Sequence, residues 1–139
     1  MTVPSIGGAV QSAVYDLLKN DAELISLLPD GANGLYNVLP DEPEMPCLRF
    51  GLAKMQRQGM GTAELYDITI IVDVYCHTDS DLSLNMIGEV VRNAVHNSAP
   101  VLVMGDWIDA KFEREIRTEI QNGNVRNTRL FFNVTVEND

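Results

Sequence analysis

From Tyr66 to Cys76 the side chains alternate without a break. The even positions are Tyr66, Ile68, Ile70, Val72, Val74 and Cys76; the odd positions are Asp67, Thr69, Ile71, Asp73 and Tyr75. A repeat of two, rich in β-branched residues, marks a strand with one buried face. A helix would scatter the same residues round its circumference. The alternation also answers the question raised by "YDITIIVDVYCHTD", where Asp67, Asp73, Cys76, His77 and Asp79 crowd together like an active site. Along a strand Asp67 and Asp73 stand roughly 20 Å apart, too far for a catalytic carboxylate pair. Cys76 and His77 face opposite sides, so one metal ion is poorly served by both.

The elements around this strand follow from their own patterns. Ile6, Val10, Val14 and Leu17, widened by Ala13 and Leu18, trace one face of a helix that Pro4 introduces. "KNDAE" ends it and starts a short second helix carrying Leu24, Ile25, Leu27 and Leu28, which "PDGANG" breaks. Pro40, Pro43 and Pro46 make the next segment an extended connector, because proline cannot donate to a sheet ladder. "CLRFGL" is the first strand. "AKMQRQGMGTAE", about 53–65, has no apolar alternation and reads as a long loop or a projecting hairpin tip.

After the alternating strand, Asp79, Ser80 or Asp81 caps a helix running to about Asn97 and burying Leu84, Ile87, Val91, Ala94 and Val95. His96 falls in its last turn, where a partly charged imidazole suits the helix dipole. "DWIDAKFEREIRTEIQ" fits both helical and strand spacing through Ile108, Phe112, Ile116 and Ile120. Strand is preferred, since "QNGN" follows and "VRNTRLFFNVTVE" then alternates through Leu130, Phe132, Val134 and Val136. A two-residue turn would set the two apolar faces on opposite sides. A three-residue loop or glycine bulge is therefore expected, bringing Phe112, Ile116, Leu130 and Phe132 onto one face. The order ααββαββ implies a single α+β domain over residues 1–139: a mainly antiparallel four-stranded sheet with helices packed on one face.

Function classes are narrowed mostly by exclusion. No apolar run approaches the length of a transmembrane helix, and "MTVPSIGGAV" lacks the basic start and apolar core of a signal peptide. Cys47 and Cys76 are expected as free, buried thiols of a reducing compartment. The net charge of −10 opposes adhesion to nucleic acid or an anionic membrane. "GMG" at 59–61 lacks the lysine and flanking elements of a phosphate loop, and the Gly7–Gly8 pair inside a helix suggests a close backbone contact. Two histidines, His77 and His96, are too few for a usual histidine metal site. No cofactor, metal or catalytic set is expected; a Cys76–His96 nucleophile pair is an arrangement the sequence leaves open.

Charge is segregated. Residues 1–46 hold Asp16, Asp21, Glu23, Asp30, Asp41, Glu42 and Glu44 against Lys19, whereas Arg49, Lys54 and Arg57 follow with no acid before residue 64. Five basic residues oppose three acids between 111 and 129. Ile71, Tyr75 and Phe131 interrupt an outer sheet face otherwise made of Arg129, Asn127, Asn133 and Thr135, which makes that face a candidate protein contact.

The pattern resembles the tail-completion and tail-terminator proteins of long-tailed bacteriophages and phage-derived gene-transfer particles. The likeness rests on "AVYDLLKNDAELISLLPDGANGLYNVLPDEPEMPCLRFG", where an "L-K-x-D-x-x-L" helix end leads to a "Y-x-x-x-P" connector and a "P-x-L-x-F-G" strand. It continues through "YDITIIVDVYCHTDSDLSLNMIGEVVRNAVHN" and the closing hairpin. The resemblance implies a non-enzymatic virion part. Such a subunit would form a ring, commonly a hexamer, at the head-proximal end of the tail tube, stop its growth and meet the head connector. On that basis Lys54, Met55, Arg57, Met60, Arg114, Arg117, Arg129 and Phe131 are the expected contacts to a neighbouring subunit or partner. DNA would pass an acidic lumen without specific binding. A head-completion or adaptor role in the neck is the alternative, and a small cytoplasmic enzyme using Cys76, His77 and Asp79 the more distant one.

Overall fold

The computed structural model describes residues 5–58, 64–77, 81–120 and 125–138. Helix α1 (Ile6–Lys19) opens at Ser5, whose Oγ accepts the Gly8 N–H at 3.0 Å. Asp21 caps α2 (Ala22–Leu27) in the same way, through Leu24 N–H. A 3-10 turn (Gly31–Gly34) leads to β1 (Leu35–Tyr36), and the proline connector to β2 (Cys47–Gln58). Then come β3 (Glu64–His77), α3 (Asp81–Val95), β4 (Asp106–Ile120) and β5 (Val125–Asn138).

The expected α+β class holds, but the sheet has five strands rather than four and is mixed, in the order β1-β2-β3-β5-β4. The added strand, β1, runs parallel to β2 through Leu35↔Leu48 and Tyr36↔Arg49. Two residues carry no periodicity, which is why the sequence conceals it. The remaining pairs are antiparallel. Of the segment read as a loop or hairpin tip, residues 53–58 and 64–65 are strand, paired from Lys54↔Thr69 to Gln58↔Leu65. All of 53–58 is exposed, so no buried face imposes an alternation there. Residues 59–63, with Met60, lie outside the described residues, as do Asp79 and Ser80 of the expected α3 cap.

Even-numbered residues of β3 and β5 meet the helices. Ile68, Ile70, Val72, Val74, Leu130, Phe132, Val134 and Val136 join Val10, Val14 and Leu18 of α1 and Leu84, Ile87 and Val91 of α3 in one core. Gly7 explains one of the paired glycines: a Cβ there would stand 3.2 Å from Leu52 Cδ1, so α1 crosses β2 closely.

The β4–β5 register departs from expectation. Residues 121–124 lie outside the described residues, but the last pair before them is Ile120↔Val125, even against odd. The parity changes inside β4 instead, at bulges between Phe112 and Arg114 and between Trp107 and Asp109. Phe112 thus pairs with Phe132 on the helix side. Ile116, expected beside them, pairs with Arg129 on the opposite face and is exposed.

The chain between α3 and β4 closes part of the sheet edge. Asn97, at φ 60°, gives its N–H to Ala110 O at 2.8 Å, and Trp107 Nε1 donates to Ser98 O at 2.9 Å. Gly105, at φ 80°, returns the chain into β4; a Cβ there would lie 2.9 Å from Glu137 O.

Candidate functional site

No helix among the described residues packs on the odd-numbered face of β3 and β5. Antiparallel register sets its side chains in rows. One row runs Arg49, Asp73, Arg129, Ile116 across β2, β3, β5 and β4. The next runs Gly51, Ile71, Phe131, Arg114, and the third Lys54, Thr69, Asn133, Lys111.

The first row holds the chief surprise. Asp73 stands on this helix-free face yet is completely buried. Arg129 grips it as a fork, Nε to Oδ1 at 2.7 Å and Nη2 to Oδ2 at 3.1 Å, while Arg49 Nη1 reaches Oδ2 at 3.3 Å from the other side. Charge-assisted forked pairs of this kind are strong and geometrically fixed. The hydrogen bonds that Arg129 donates to Asp73 hold its guanidinium above the ordinary pKa range. In the second row Arg114 lies over the Phe131 ring, 4.4 Å from its centre, and Ile71 is buried on the other side of Phe131. In the third, Lys54 is exposed, and Lys111 Nζ bonds Asn97 Oδ1 at 2.7 Å.

The eight expected contact residues do not form one patch. Lys54, Arg114, Arg129 and Phe131 share the open face, although Arg129 is already engaged by Asp73. Met55 and Arg57 occupy the other side of the β2–β3 hairpin, opposite Ile68 and Tyr66, and Arg57 pairs with Glu64 at 3.5 Å. Arg117 belongs to the helix side, where it bonds Glu115 at 2.9 Å and also Asn85 of α3. There it borders a groove of about 670 Å³ between α2, α3 and β4, whose charges are largely paired through Arg92 with Glu89 and Glu115. Sequence reasoning passed over Arg49 and Asp73 as site residues. Aligning the two hairpins in register would have put them beside Arg129.

Catalytic readings find no support in the geometry. Cys47 and Cys76 are free and buried, and burial pushes each thiol up to about 11, the reverse of an activated nucleophile. His96 lies just past the end of α3 and accepts the Phe112 N–H through Nδ1 at 2.9 Å, which ties the helix end to β4. Among the described residues no group of three or more His, Cys, Asp or Glu could hold a metal ion, and no helix is long and apolar enough to cross a membrane.

The described residues thus form a helix-backed sheet whose free face carries fixed charges. The sequence model of the family described as tail completion protein gp17 matches residues 12–137, and the chain belongs to that family. It is therefore a structural phage-tail protein, a virion component and not an enzyme. A solved structure titled "Virion of native gene transfer agent (GTA) particle" contains a chain with the same fold. The two share 22% identity over 97% of this chain and 99% of that one, with a TM-score of 0.75. No curated protein matches the sequence.

Proposed function

We propose that this chain forms a ring, a hexamer, at the head-proximal end of the tail tube, where it ends tube growth and joins the tail to the head connector. The observation that carries the reading is the family match over residues 12–137. The fold shared with a chain of a gene transfer agent virion supports it, as do the fixed charges of a face that no helix among the described residues covers. Lys54, Arg114 and Phe131 are the contacts proposed on that face, beside the anchored Arg129, and Arg117 is a separate contact proposed on the helix side. The β2–β3 hairpin, with Met55, Arg57 and Met60, is the element offered to the tube protein or the connector. Methionine adapts to irregular partners, and Met55 is exposed at 51%. DNA passes the ring without specific binding, since a subunit of net charge −10 repels phosphate.

Electron microscopy of particles made without this gene tests the reading. Overlong, headless tubes are expected. Tails of normal length beside full, unattached heads would replace the terminator with a neck adaptor, and intact particles would overturn both.

A further inference from the structure

We propose that the cationic band across the open sheet face seats the acidic proline connector, residues 37–46, of a second copy of the chain. This deepens the ring reading and rests on it. The band is an exception in a protein of net charge −10: Arg49, Arg129, Arg114 and Lys54 lie in adjacent rows with one buried acid, Asp73, among them. Asp73 takes one N–H from Arg49 and two from Arg129. A guanidinium has five N–H donors, so both arginines keep donors free while their positions are fixed. The side chains are 35% and 41% exposed, which leaves those donors open to solvent.

The connector is the matching half. It holds Asp41, Glu42 and Glu44, all exposed, with no basic residue from 37 to 46. None of the three acids has an ion-pair partner among the described residues. Pro40, Pro43 and Pro46 keep the segment out of its own sheet and stiffen it, so that ordering it on a partner costs little entropy. Val38, 79% exposed, supplies an apolar end, and Ile116, 45% exposed, with half-buried Phe131 supplies the apolar counterpart on the band. The connector leads into β2 on one side of the sheet, whereas Arg114 and Ile116 belong to β4 at the other. Contact between these different patches is heterologous, the kind that closes a ring when the rotation repeats evenly.

Cross-linking between copies tests the contact. Chains carrying Glu42→Cys are mixed with chains carrying Asn133→Cys, which lies within the band, and treated with a short bis-maleimide. The buried native thiols stay silent. The expected result is a covalent dimer in the mixture and little in either sample alone. It is lost when Lys54→Glu and Arg114→Glu are added to the acceptor, and returns when Asp41, Glu42 and Glu44 are exchanged for lysine or cysteine on the donor. A yield no greater than with Glu23→Cys, on the exposed face of α2, would overturn the docking, and so would charge reversals without effect. Tube length in gene-deleted particles reads the ring proposal separately. Overlong tubes beside a failed cross-link leave the terminator standing, whereas intact particles remove it whatever the cross-link shows.

Discussion

Phe132 and Asp73 lie on opposite faces of one sheet, and both are completely shielded from water. Phe132 is covered by helices and held by apolar contact alone, including an edge-on ring contact with Phe112 at 5.7 Å. Asp73 is covered by arginine side chains from the two neighbouring strands. The first kind of burial draws its strength from area and tolerates many shapes. The second draws it from the fit of a few charged groups, and leaves a rigid polar surface behind. A helix layer makes a core; a guanidinium layer makes a fixed charged face.

The contrast breaks most sharply in the core. Phe132→Ala is expected to cost about 3–5 kcal/mol, read as a lower urea midpoint. Asp73→Ala comes next at about 2–3 kcal/mol, toward the lower end for buried pairs because each arginine is about one-third or more exposed. Replacing Arg49, Asp73 and Arg129 together by Met, Leu and Met should recover most of that stability while abolishing the cross-link between copies. That result would separate what the triad does for folding from what it does for contact.

Alkaline titration gives an effect of comparable size, about 2–3 kcal/mol for each buried thiol. The Cys47 and Cys76 thiols are raised from 9.0 to about 11 in the folded chain. The folded state therefore holds protons that the unfolded chain releases. Their contribution is complete below pH 9 and falls away as pH rises from 9 to 11. Burial raises the Tyr75 hydroxyl as well, in the same direction. Urea midpoints measured across that range should fall, and the fall should flatten in Cys76→Ala. Arg114→Ala sits at the bottom of the scale, with a stability loss below about 1 kcal/mol from the lost ring contact. Thermal melting should barely register it.

How much of this was legible depended on whether a pattern had a buried side to impose it. β3, β5 and the apolar faces of α1 and α3 were, because Val72, Leu130, Val10 and Ile87 recur at the spacing of a covered surface. β1 was hidden by its two-residue length. The end of β2 was hidden because Lys54 to Gln58 are exposed on both sides, and only pairing with β3 makes them a strand. The bulge after Phe112 moved Ile116 across the sheet, since parity within a strand says nothing about where an extra residue is inserted. At the site, single residues such as Lys54, Arg114 and Phe131 could be named from charge and alternation. Their grouping could not: Asp73 is joined to Arg49 and Arg129 across 24 and 56 residues of chain, a proximity created by strand register.

The register also fixes how the strands run. Glu64 lies beside Asn138 and His77 beside Val125, so β3 and β5 begin at opposite ends of the sheet. The two central strands each run 14 residues, roughly 45 Å at ordinary strand rise, and are hydrogen-bonded along both sides. Mechanically that is a strut. A push at one tip travels to the other as movement of a stiff body, so whatever meets the chain at its two ends is held at a constant spacing.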